Sequence, residues 1–291
     1  VSFASVGGSG NVNYRAEFNP IDKERTATIS VGGQEFVVVQ APGGPAITKE
    51  GVVNAASYLG GPVAPGEIIS IFGQGLGPKK AATYQLTADR RRFATEVAGT
   101  RVLFDGIPAP IIATSDAQVS AIVPYEVAGR TTTQMRLEYN GVLSSAVTLD
   151  VASTAPGIFT QDMSGKGLAA IINWDANPDR WTVNTAANRA ARNGYVMIFA
   201  TGEGQTNPAG DTGALAAGTA AQLPRPREAV TVTIGGQRAN VTYAGAAPGM
   251  VSGLLQINAQ VPANAPTGDA VPVVVTIGNR TSQAGVVMAV R

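Results

Sequence analysis

Carboxylates, lysines, tyrosines and serines are the only side chains this chain offers for acid, base or nucleophilic work, because its 291 residues include no His and no Cys. Without imidazole or thiol there is no Ser-His-Asp triad, no Cys nucleophile and no zinc site of the usual nitrogen and sulfur type. Gly202-Glu203-Gly204-Gln205 invites a catalytic reading, since a carboxylate between glycines can stand exposed at a strand end. The corresponding stretch earlier in the chain is Gly75-Leu76-Gly77, so an apolar residue serves at the same place, and a strand-terminating turn is the expected role. Gly75-x-Gly77 is no phosphate cradle either, for no helix with a following Lys or Ser/Thr opens there. A carboxylate-only hydrolase needs two acidic groups facing one cleft, and the acidic residues fall mostly in separate turns. No catalytic residue and no cofactor is therefore assigned.

Three other groups could bind something. Asp175-Ala176-Asn177-Pro178-Asp179 has the D-x-N-x-D opening of a calcium loop. Arg180 and Ala186 stand where that loop needs its Gly and its bidentate Glu, so an Asx/Pro turn is expected from Asp175, Asn177 and Asp179, with no metal. Trp174, Trp181 and Tyr195 are aromatic platforms of the kind on which sugar rings stack. The competing expectation, and the favoured one, is that they plug the junction between two domains. Asn240-Val241-Thr242 and Asn279-Arg280-Thr281 fit a glycosylation sequon but receive no function, and the five lysines sit in turns or linkers, unsuited to an isopeptide crosslink.

The elements that must position these residues come in duplicate. Gln118-Val119-Ser120-Ala121-Ile122-Val123-Pro124 returns as Gln256-Ile257-Asn258-Ala259-Gln260-Val261-Pro262. Ile71-Phe72-Gly73-Gln74-Gly75-Leu76-Gly77 returns as Ile198-Phe199-Ala200-Thr201-Gly202-Glu203-Gly204, and Gly141-Val142-Leu143-Ser144-Ser145-Ala146 as Asn279-Arg280-Thr281-Ser282-Gln283-Ala284. Blocks repeated in one order imply a duplicated supersecondary unit. With 44% hydrophobic residues, 14% charged, 35 Gly and 18 Pro, the composition is too apolar for disorder and too rich in turn formers for a helical protein. A formal charge of +1 provides no basic footprint for nucleic acid, and Arg90-Arg91-Arg92 reads as a solvated loop. No stretch approaches the roughly twenty apolar residues that cross a bilayer, so no membrane insertion is expected.

Period-two runs bounded by Asp-Gly, Asn-Gly and Pro turns place strands at residues 67–72, 100–104, 108–114, 118–123, 133–139 and 146–151 in the first repeat. The second has them at 195–201, 229–234, 239–243, 253–258, 271–277 and 285–290. Val102, Phe104, Ile111, Val119, Ile122, Leu137 and Leu149 are the expected core of the first. Before them, residues 11–18, 25–31 and 34–40 read as three strands, the last two joined by Gly32-Gly33 as a hairpin. Residues 185–193 allow one or two helical turns, and Pro208 to Pro224 reads as surface decoration. The expected fold is all-β: tandem Ig-like or IPT-like β-sandwiches at 46–152 and 153–291, after an incomplete N-terminal Ig-like module at 1–45.

Gly51-Val52-Val53-Asn54-Ala55-Ala56-Ser57-Tyr58, Ala64 to Gly73, Gln118 to Pro124, Ala155-Pro156-Gly157-Ile158-Phe159, Ala200 to Gln205 and Gln256 to Pro262 resemble the uncharacterised Solibacter-type C-terminal domain of large secreted acidobacterial proteins. Residues 3–40 are similar to the second half of a BACON module, an Ig-like domain of bacterial surface and carbohydrate-processing proteins, with the opening strands missing; Arg25 to Gln40 carries the likeness. The resemblance implies export, β-sandwich repeats and no established catalytic residues. The start at Val1 fits a processed product or a piece of a longer chain. The function expected is a non-enzymatic extracellular or cell-surface structural or adhesive protein, self-associating into a filament by strand complementation. The alternative is a carbohydrate-binding accessory module using Trp174, Trp181 and Tyr195.

Overall fold

The structure, a computed structural model, describes residues 11–17, 19, 24–40 and 43–291. It is all-β, with helix confined to single 3-10 turns such as Tyr125–Val127 and Pro178–Arg180. Among the described residues no helix is long and apolar enough to cross a membrane. The hairpin forms as expected, Arg25–Val31 against Gln34–Gln40, because Gly32 and Gly33 take the positive φ that a tight two-residue turn needs. Residues 11–17 carry no strand, contrary to their alternating pattern, and the remainder of that expected run lies outside the described residues. Alternation alone does not supply the partner on which a strand depends.

Two face-to-face sheets follow between residues 46 and 150. The first runs in the order Ala46–Asn54, Ile68–Gln74, Gln118–Ile122, Ile111–Thr114, Ala82–Thr83. The second centres on Thr132–Tyr139 and Thr100–Phe104. Residues 108–114, expected as one strand, split in two: Ile107–Ala109 pairs with Thr100–Phe104 in one sheet, and Ile111–Thr114 pairs with Gln118–Ile122 in the other. Pro110, lacking an amide proton, sits at the corner where the chain changes sheets. Val102, Phe104, Ile111, Val119, Leu137 and Leu149 interdigitate between the sheets as expected. Ile122 is also buried, but on the opposite face of its strand from Val119 and Ala121, and it joins a different cluster.

The remaining chain builds a second pair of sheets with the same plan, down to the register. Phe72 pairs with Gln118 in one copy and Phe199 with Gln256 in the other. Val102 pairs with Leu137, and Val232 with Val275. The third sequence echo also has a physical basis. Ser144 Oγ accepts from the Leu137 amide (3.0 Å) while its own amide donates to the Leu137 carbonyl (2.7 Å). Ser282 does the same to Val275, at 3.1 and 2.8 Å. A hydroxyl here supplies a backbone partner that the ladder lacks. The helical turn expected within 185–193 is absent: these residues form bends, and Ala190 is buried by a bridge to Val290. Ala and Arg are good helix formers, but docking of Ala190 against the final strand outweighs that local preference.

Between the sandwiches lies a smaller apolar cluster. Ile68, Ile122, Phe93 and Ile112 from the first copy meet Val251, Phe159, Leu215 and Leu254 from the second. Residues 208–224 are not decoration. The Phe93 amide donates to the Gly213 carbonyl (2.9 Å), the Leu215 amide to the Arg91 carbonyl (2.8 Å), and the Tyr125 amide to Thr212 Oγ1 (3.0 Å). Arg92 forms a two-armed ion pair with Asp211, so the arginine triplet is partly a fastening and not wholly solvated. A loop rich in Ala and Gly can follow a neighbouring surface closely because it has little side-chain bulk and entropy to restrain.

Candidate functional site at the junction of the sandwiches

Two glutamates converge where the copies meet. Glu67 precedes Ile68–Gln74 in the first sandwich, and Glu203 follows Tyr195–Thr201 in the second. The ends of those strands are tied together: the Ile68 amide donates to Thr201 Oγ1 (2.8 Å), whose hydroxyl donates to the Gly253 carbonyl (2.8 Å). Glu67 is 2% exposed and Glu203 4%, so water solvates neither.

Asn54 organises the first glutamate. Its Oδ1 accepts from the amides of Ala56 (2.9 Å) and Ser57 (3.1 Å), closing the turn after Ala46–Asn54. That fixes Nδ2, which donates to Glu67 Oε1 (2.8 Å) and across the junction to the Ala155 carbonyl (2.9 Å). Glu67 Oε2 accepts from the Ala64 amide (2.7 Å). Glu203 Oε1 accepts from the hydroxyl of Tyr125, a residue of the first sandwich, at 2.7 Å. Its Oε2 is buried without a hydrogen-bond partner. Close backbone approach makes this possible. Gly66, at φ +74°, passes the Tyr125 ring so closely that a Cβ would lie 2.5 Å from it, and Gly202, at φ +80°, would drive a Cβ into the Ala155 carbonyl.

The electrostatics follow from burial. Desolvation pushes the Glu67 carboxyl up to about 8 from an ordinary 4.5, against the lowering influence of its hydrogen bonds from Ala64 and Asn54, with the Glu203 charge adding to the rise. Desolvation pushes Glu203 up to about 7 despite the Tyr125 hydrogen bond. Tyr125 is held well above its ordinary value by burial first and by Glu203 second. The two carboxyls thus carry protons near neutrality, a capacity that acid chemistry can exploit. Glu67 borders a cleft of ≈ 220 Å³ lined also by Asn54, Ser57, Ala155, Arg280 and Gln283. Both of its oxygens are engaged within its own sandwich, by Asn54 and the Ala64 amide, so its first task is to hold the Asn54 amide that bonds across to Ala155.

Gly202-Glu203-Gly204 does end the strand Tyr195–Thr201, as expected, but the Glu203 carboxylate is buried and bonded across the junction instead of standing exposed. Leu76, its counterpart, is also fully buried, so the duplicated position points inward in both copies. Sequence reading also missed Asn54, Glu67 and Tyr125 as a constellation, although Asn54 and Glu67 lie in the segments that carry the family resemblance. Asn54, Gly66, Glu67, Ala155 and Glu203 from those segments meet here, whereas Gln256 to Pro262 runs away from the junction towards Tyr195.

The aromatic trio goes elsewhere. Trp174 lies opposite Tyr195 on adjacent strands, their rings 5.9 Å apart and edge to face. Trp181 follows the 3-10 turn, its Nε1 donating to the Asp175 carbonyl (2.9 Å). All three are exposed, at 41%, 36% and 41% for Trp174, Tyr195 and Trp181, at the end of Tyr195–Thr201 remote from Thr201. They do not plug the junction. Asp175 and Asn177 form successive Asx turns, accepting from the amides of Asn177 (2.8 Å) and Asp179 (3.1 Å). No family model matches the chain, and no curated protein matches it.

Proposed function

We propose that this chain is a non-enzymatic structural or adhesive protein of the bacterial cell exterior, which joins its neighbours by strand complementation. The observation that carries the proposal is the hairpin of Arg25–Val31 and Gln34–Gln40. Among the described residues its two strands pair only with each other, and Phe36, Val37 and Val39 stand more than half exposed. Beside it a groove of ≈ 600 Å³ is lined by Val12, Tyr14, Ile29, Val31, Phe36 and Val37. A two-stranded ribbon is marginal in water, and an incoming strand supplies both ladder hydrogen bonds and apolar cover. The body behind it is stapled by the junction, which suits transmission of load. The resemblance to secreted acidobacterial domains supports the location. Negative-stain microscopy of native surface material is expected to show an assembly that Phe36→Ser together with Val39→Ser abolishes. A monomeric mass at high concentration with no assembly would overturn the proposal.

The exposed Trp174, Trp181 and Tyr195 favour a second reading, a glycan-binding accessory module. Gln260 lies directly opposite Tyr195, placing an amide beside the rings, and aromatic faces with neighbouring amides suit uncharged sugars. Binding on a glycan array that Trp174→Ala and Trp181→Ala leave unchanged, or an array with no signal, would remove this reading.

A further inference from the structure

We propose that the junction is a proton-operated latch, in which the two sandwiches stay locked while Glu67 and Glu203 are protonated and part at that contact when both ionise. The geometry has three features. The two carboxyls come from opposite sandwiches and are both buried, so opening the junction is what returns them to water. Glu203 Oε2 has no donor, so an ionised Glu203 would keep an unsatisfied oxygen close to a second carboxylate. And among the described residues no cation pairs with either group.

The surroundings bear out the last point. The 3-10 turn presents Tyr125 to Glu203 and turns Glu126 to Thr212 Oγ1 (2.7 Å). The 208–224 loop brings Asp211, already paired with Arg92. Arg130, on the far groove with Arg227 and Glu228, is paired with Asp105, and Arg227 donates to the Thr206 carbonyl (3.0 Å). Arg280 lines the cleft but makes no ion pair with Glu67 among the described residues. Ionisation is therefore met only by neutral donors, Asn54 and the Ala64 amide at Glu67 and the Tyr125 hydroxyl at Glu203, which lower each carboxyl less than burial raises it.

The sign follows from the direction of the shifts. Both carboxyls bind protons more tightly in the closed state than in water, so closure is fully stabilised below about pH 4.5 and loses that stabilisation as pH rises through about 7 and about 8. The latch closes in acid and loosens in alkali.

Hydrogen exchange on the whole chain tests this. The reporters are the amides of Ile68, Tyr125 and Phe93, whose acceptors lie across the junction, and the controls are amides of the sheet cores, such as Val102 and Ile198. After correction for intrinsic rates, junction protection is expected to fall by about tenfold per pH unit or more between about pH 5 and pH 7 and to level off above pH 8, with core protection unchanged. Glu67→Gln with Glu203→Gln should flatten the profile. Should that pair not fold, Glu203→Gln alone should reduce the slope. Junction protection that stays constant with pH, falls together with the cores, or keeps its slope in the variants would overturn the proposal.

Discussion

Removing the Tyr125 hydroxyl strips Glu203 of the one side-chain donor it has, and the penalty is that of a buried carboxyl with no partner. Tyr125→Phe is expected to cost about 1–3 kcal/mol in urea unfolding. Adding Glu203→Leu, which installs the residue found at the equivalent Leu76, should recover most of that loss, because replacing both partners of a buried polar pair by apolar groups is nearly neutral. If the double variant is no more stable than the single one, the orphaned oxygen is not the cause. Gly202→Ala should destabilise by at least about 2 kcal/mol, since positive φ and collision with the Ala155 carbonyl act together. At this scale the sequence was legible in part. It read the Gly-Glu-Gly stretch as a strand-terminating turn and gave its carboxylate no partner, because whether a carboxylate at a strand end meets water or a tyrosine depends on a residue 78 positions away.

The elements were more readable. Strands at 100–104 and 195–201 have their expected bounds, and the hairpin is in place, because period-two burial and turn chemistry are written into neighbouring residues. Ala46–Asn54 was missed as a strand: its stretch Thr48 to Gly51 interrupts the alternation, and the register shifts between Ile47 and Val52. The serines supply a prediction at this scale. Ser144→Ala and Ser282→Ala each leave a strand amide without its acceptor, so each should cost about 1 kcal/mol, and the two losses should be similar and additive because the sites lie in separate sandwiches. Denaturant midpoints of the two single variants and the double variant measure this, and strongly unequal losses would mean that the copies have diverged in how they use the same residue.

For the whole molecule, the decisive matter is that two sandwiches which each have a complete core are nevertheless joined. The interface combines the Ile68–Ile122–Val251 cluster, the Asn54 and Thr201 hydrogen bonds and the 208–224 clasp. Calorimetry at about pH 5 is accordingly expected to show both sandwiches unfolding in one transition, and Phe93→Ala with Arg92→Ala to separate them into two. Arg92→Ala alone, which removes a half-exposed ion pair, should shift stability by no more than about 1 kcal/mol. The doubled plan, the all-β class and most of the core could be read from the linear chain, since burial period, glycine turns and repeated blocks are local or nearest-neighbour properties. The angle between the copies is not local: it arises from which outer faces fit together, and it alone brought Glu67 beside Glu203, turned Ile122 into an interface residue, made a clasp of the Ala/Gly loop and left the tryptophans facing water.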